Sequence, residues 1–150
     1  MKHYVGLDVS QEETHICVVD ENGQKLWEGK CDSTPEAIGG LIKRKSPAAD
    51  KIGLETGNLS TYLWHGLNDM GLPVICIDAY HAHGVLKLQM NKTDKNDAHG
   101  IAQIMRSGWF KPVKVKSFAS HEIRALYRAR SSLVSMRSDV VNQIRGTLRV

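Results

Sequence analysis

The sequence predicts an α/β domain built on a mixed sheet, with the element order βββαβαβ followed by further helices. Three short runs of alternating apolar and polar residues follow one another with only turn residues between them, which is the pattern of an antiparallel meander. After them, helical and strand periodicities alternate, as they do where parallel strands are joined by crossover helices. The length agrees: 150 residues, 41% hydrophobic and 24% charged, suit one globular domain with a core and room for an appended element, but not a second full domain.

The first strand is expected over residues 4–9 (YVGLDV) and the second over 14–19. The turn at residues 20–23 (DENG) leads to a third strand over 24–30. Thr34 followed by Pro35 offers a helix start, Ala37, Ile38, Leu41 and Ile42 supply an apolar stripe, and Lys43, Arg44 and Lys45 suit the carboxyl end. A short strand is expected over 51–55, a helix over 60–69 with Leu63, Trp64 and Leu67 inward, and a last strand over 72–77. Competing α/β folds begin βαβ, so this order predicts the connectivity of an RNase H-like fold. Residues 80–90 and 94–106 read as helices, 109–118 as a connector holding Pro112, and a long helix follows from about Ser120.

In that last helix the pairs Leu126 and Tyr127, Leu133 and Val134, Val140 and Val141, then Thr147 and Leu148 recur every seven residues, with Ile123 and Ile144 between them. Seven-residue spacing predicts a coiled-coil seam and a homodimer or higher homo-oligomer formed through it; an ordinary amphipathic helix folded back on the domain is the alternative. Arg124, Arg128, Arg130, Arg137, Arg145 and Arg149 make the rest of the helix basic. Val150 stands in mid-pattern, which predicts a longer parent protein. The expected division is therefore a catalytic domain over 1–118 and the start of a basic helical segment over 119–150.

The net charge of +4 conceals an asymmetry: residues 1–100 hold 10 Lys and Arg against 14 Asp and Glu, and residues 101–150 hold 10 against 2. A basic segment beside an acidic body points to a polyanionic partner, because each cation that neutralises a phosphate releases condensed counterions. No uncharged run approaches the roughly 18 residues a membrane helix needs, so a soluble, cytoplasmic protein is expected. Cys17, Cys31 and Cys76 are widely spaced and form no CxxC pair, which argues against a disulfide framework and a zinc site. Cys17 and Cys76 read as small core residues.

The candidate site consists of acids. On the first strand, alternation sends Val5, Leu7 and Val9 to one face and Gly6 and Asp8 to the other. Residues 51–55 (KIGLE) repeat the arrangement, with Gly53 and Glu55 on one face, so each acid has a glycine two residues before it that leaves room beside it. If the first and fourth strands are neighbours, the two carboxylates lie side by side where a cation could bridge them. Asp94 and Asp97 are three apart on the next helix, in line with Ala98, Ile101 and Met105, and are expected to point at the sheet. Acids in a first turn also serve as caps, and Asp94 by itself fits that role. Four oxygen ligands without a His or Cys cluster suit a hard cation, Mg²⁺ or Mn²⁺. Two such ions roughly 4 Å apart suit phosphodiester chemistry.

Residues 4–9, 53–57 (GLETG) and 92–98 (KTDKNDA) together resemble the DEDD-type transposases of bacterial insertion sequences, whose amino-terminal domain is similar to the RuvC Holliday-junction resolvase. The resemblance covers roughly residues 3–150. It implies that Asp8, Glu55, Asp94 and Asp97 form an acidic tetrad, that Mg²⁺ is used, and that element ends and target DNA are recombined under an element-encoded guide RNA. It also implies a coiled coil and a carboxyl-terminal domain bearing a catalytic serine. Ser131, Ser132, Ser135 and Ser138 lie on the basic helix and match no such motif.

Where that family often has an asparagine after the last strand, this chain has Asp78, expected to be a helix cap rather than a spare ligand. His81 and His83 lack the companions of a zinc site and read as a solvated loop pair, and His99 reads as an ordinary structural residue. Lys87, Lys92 and Lys95 stand near the acids, where they could contact phosphate or remain solvated. Two rival functions compete. An actin-like ATPase or sugar kinase would need a glycine-rich phosphate loop, absent from residues 8–11 (DVSQ), and a second lobe. A non-catalytic nucleic-acid-binding and oligomerisation module would use only the arginine helix.

Overall fold

The computed structural model describes residues 2–80 and 94–148, with side chains from Asp97 onward in the second stretch. It divides into two compact units, Met1–Val115 and Lys116–Val150.

In the first unit the strands are β1 (His3–Val9), β2 (Glu13–Val19), β3 (Lys25–Asp32), β4 (Ala49–Glu55) and β5 (Val74–Ile77), and the helices are α1 (Pro35–Lys45), α2 (Ser60–Asp69) and α3 (Asp94–Ser107). They form one sheet of order β3-β2-β1-β4-β5. β1, β2 and β3 pair antiparallel, and β4 and β5 run parallel to β1. This is the mixed RNase H-like sheet that the element order predicts. Residues 80–90, expected to be helical, lie almost wholly outside the described residues.

Local signals explain the boundaries. Thr34 caps α1 by accepting a hydrogen bond from the Ala37 amide at 3.3 Å, with Pro35 in the first turn. The Asp20 carboxylate closes the β2–β3 turn by accepting from the amides of Asn22 at 2.9 Å and Gln24 at 2.8 Å. β5 begins only at Val74, after Pro73, whose nitrogen can donate no ladder bond. Its outer edge is covered by residues 112–113, where the Val113 amide donates to the Cys76 carbonyl at 2.8 Å.

The sheet is covered on both faces. Val5, Leu7, Ile16, Val18, Ile52 and Leu54 face α1 and α2, which contribute Ile38, Ile42, Leu63 and Leu67. Most of these side chains are fully buried, each worth roughly 1.5–3 kcal/mol against exposure. On the opposite face α3 supplies Ala98, Ile101, Ala102 and Met105 against Cys17, Val19 and Ile77. Burial pushes the Cys17 and Cys76 thiols up to about 11, as befits small core residues.

The second unit contains α4 (Phe118–Leu148), a helix of 31 residues with no buried side chain. Among the described residues no helix is long and apolar enough to cross a membrane.

Candidate active site

β1 and β4 lie side by side in parallel, with Gly6 opposite Gly53 and Leu7 opposite Leu54. The next residues along the two strands are Asp8 and Glu55, which leave the sheet together at its carboxyl edge, on the face that carries α3. Both are half-buried, and both line one cleft of about 200 Å³ with Ser10, Gln11, Thr56 and Asn58. The carboxyl ends of parallel strands are where open α/β sheets place their ligands.

The loops behind the acids are tied down. After Asp8, the Ser33 hydroxyl donates to the Ser10 carbonyl at 2.7 Å and meets the Thr14 hydroxyl at 2.8 Å. After Glu55, the Thr56 amide donates to the Ile77 carbonyl at 2.9 Å, and the Ser60 hydroxyl donates to the Gly57 carbonyl at 2.7 Å. Each acid therefore stands at the junction of a strand and a pinned loop, which limits how far its carboxylate can wander.

The two glycines have a use that sequence reasoning assigned wrongly. The room they leave lies under α3 rather than beside the acids: a Cβ on Gly6 would run into the Ala98 carbonyl and the Ala102 amide, and one on Gly53 would meet Met105 and Ile101. The missing side chains let the helix sit directly on the sheet. The direction of α3 follows from its other end, where Gln103 Nε2 donates to the Gly23 carbonyl at 2.6 Å in the β2–β3 turn. That turn adjoins the start of β1, since Tyr4 pairs with Val19. α3 thus runs antiparallel to β1, and its first turn, with Asp94 and Asp97, comes to the end of the sheet that carries Asp8 and Glu55.

Asp97 is half-buried, one residue before the fully buried Ala98. It is not among the residues lining the acidic cleft, and among the described residues no three His, Cys, Asp or Glu side chains are gathered closely enough to hold a metal. Asp8 and Glu55 are therefore brought together, and Asp97 is brought to the same end of the sheet. The side chains of Asp94 and Lys95, and the whole of Lys92, lie outside the described residues, as do Lys87, His81 and His83. Asp78 accepts from the Tyr80 amide at 2.8 Å, the geometry of a cap. The half-buried His99 lies 3.1 Å from Gln103 Nε2 on its own helix. Ser10, Gln11, Thr56 and Asn58 were passed over in the sequence, although their place just after two strand-end acids was the available signal.

On α4, Arg124, Arg128, Arg130, Arg137 and Arg145 are all exposed. So are Ile123, Leu126, Tyr127, Leu133, Val134, Val140, Val141, Ile144 and Leu148, the apolar positions of the seven-residue repeat.

Comparison with known proteins agrees with this architecture. Two structures of Thermus thermophilus RuvC, one in complex with a Holliday junction substrate, each superpose with a TM-score of 0.53 at 14% and 12% identity, covering 75% and 74% of this chain and 100% and 99% of theirs. At that identity the likeness is one of fold. The transposase for insertion sequence element IS1111A of Coxiella burnetii is 26% identical over 152 residues, covering 97% of this chain and 38% of that protein. The chain thus spans about two fifths of the length of that relative. A family profile for DEDD-type transposases related to IS110, described as transposase, matches residues 5–150, and the chain belongs to that transposase family.

Proposed function

We propose that this chain is the metal-dependent catalytic part of an insertion-sequence transposase, cutting and joining phosphodiester bonds at the cleft that holds Asp8 and Glu55. The observation that carries the reading is that these two acids follow the last register pair of adjacent parallel strands and line one cleft, at the carboxyl edge of a RuvC-like sheet. Two carboxylates side by side in a half-buried place favour a cation, which offsets their mutual repulsion. Their donors are oxygen only, a set that suits Mg²⁺ or Mn²⁺, which keep several waters and take one or two carboxylates plus substrate phosphate oxygens. When bound, such an ion activates the attacking oxygen and stabilises the leaving one.

In this reading Asp8 and Glu55 hold the ion from the sheet, and Asp97 and Asp94 complete the tetrad from the first turn of α3. Lys92 and Lys95, neighbours of those acids in sequence, contact the phosphates being bound. The unit carrying the sheet is the catalytic domain. α4 is a basic coiled-coil helix whose arginines hold DNA backbone and whose apolar repeat pairs with a second copy. The family resemblance adds a guide RNA among the partners, a serine-bearing domain elsewhere in the parent protein, and the cytoplasm as the place of work.

Asp8→Asn and Glu55→Gln keep shape while removing charge. Each is expected to lower Mg²⁺-dependent cleavage of element-end DNA by more than about 100-fold with DNA affinity little changed, since a lost ligand costs at least as much as the 10–100-fold of an outer-sphere partner. Cleavage that survives in both variants would leave only the nucleic-acid-binding module.

A further inference from the structure

The register of the sheet carries the acidic row beyond the two acids. Across β1, β2 and β3, Asp8 pairs with His15, and His15 pairs with Lys30. All three share the face that carries α3, because Cys17, two residues from His15, packs with Ala98 and Ala102. Glu55, Asp8, His15 and Lys30 therefore form one line across four adjacent strands, with the acids at one end and basic groups at the other. Beside that line β2 and β3 enclose a second cleft of about 430 Å³, lined by His15, Ile16, Cys17, Glu28, Gly29 and Lys30.

We propose that this β2–β3 half of the face is the track for the strand being cut, with His15 and Lys30 holding the phosphodiesters next to the one at the acidic cleft. The inference rests on the proposed function and adds to it the path of the substrate. Strands lie about 5 Å apart, so the row from Asp8 to Lys30 spans about 10 Å, enough to follow a strand, which rises roughly 3.4 Å per stacked nucleotide, for a few nucleotides from the acidic cleft. An imidazole and an ammonium at successive steps along that path are the donors a sugar–phosphate backbone needs. Lys30 is held at 2.7 Å by Glu13, but the side chains of that pair are 57% and 48% exposed. A pair so open to water exchanges readily for a phosphate oxygen. Glu28 is likewise bound to Lys25 at 2.7 Å, which offsets its charge at the cleft.

The test uses Lys30→Gln and His15→Gln, with Lys43→Gln on α1, at the opposite face of the sheet, as the control. DNA affinity is measured over a range of salt, and thermal melts check the fold; the exposed Lys30 tolerates substitution even if His15 does not. Lys30→Gln is expected to weaken binding several-fold and to reduce the slope of log K against log salt by about one, while Lys43→Gln does neither. Equal effects at Lys30 and Lys43, or none at Lys30, overturn the track. Asp8→Asn separates the two readings. If it abolishes cleavage while Lys30→Gln binds normally, the track alone fails; if it still cleaves while Lys30→Gln binds poorly, the catalytic reading fails and a binding face remains.

Discussion

Gly6 is the residue on which the site's geometry turns, because α3 rests on its bare Cα. A methyl group there meets the α3 backbone at Ala98, Ile101 and Ala102, and backbone cannot swing away as a side chain does. Gly6→Ala is therefore expected to cost about 3 kcal/mol or more, the upper end of overpacking, and to push the first turn of α3 away from the acids. Gly53→Ala meets the flexible Met105 side chain and the Ile101 methyl and should cost less. Chemical denaturation of the two variants checks the order. His99 carries a second prediction. Burial, and next to it Lys25, hold its imidazole below the usual 6.5, while Glu28 opposes them. As pH falls through about 6.5 the unfolded chain takes up this proton before the folded one does, so stability declines below that point. His99→Gln, which keeps a partner for Gln103, should flatten that decline when melts at pH 7.5 and 5.5 are compared.

At the scale of elements, the same contrast separates what could be read in advance from what could not. α1 begins at Pro35, as its Thr34 cap required, and α2 falls at residues 60–69, as its apolar stripe required. The side-by-side placing of Asp8 and Glu55 was also legible, because the glycine-then-acid pattern repeats on two strands that the connectivity makes neighbours. The seat of α3 on Gly6 and Gly53 was not, since the periodicity of a helix tells which face is apolar but not which atoms it will meet. The His15 and Lys30 row was hidden for a similar reason: it depends on hairpin register, which a turn sequence constrains only loosely. The α1 cap offers a test at this scale. Thr34→Ala removes the acceptor for the Ala37 amide and should cost about 1 kcal/mol, read as a lowered denaturation midpoint with an unchanged slope, while Mg²⁺-dependent cleavage persists.

For the whole molecule the governing feature is the separation of charge, with acids predominating in the first 100 residues and Lys and Arg outnumbering Asp and Glu by 10 to 2 in the last 50. If the acidic cleft works on DNA as proposed, its carboxylates repel the phosphate backbone until a cation is bound, and a separate basic element would offset that repulsion. In the proposed reading α4 supplies that charge, and its apolar repeat, wholly exposed over 31 residues, is the part that a second copy would cover. The two proposed roles separate experimentally. Leu133→Ser with Val140→Ser leaves every arginine in place and should convert an oligomer to a monomer in sedimentation, with a shallower loss of DNA affinity. Removing residues 120–150 should abolish both association and the steep salt dependence, lowering the slope of log K against log salt by several units. An unchanged slope after that deletion would place the DNA-holding cations on the sheet unit instead, and would leave the exposed arginines of α4 as solubilising flanks of an oligomerisation helix.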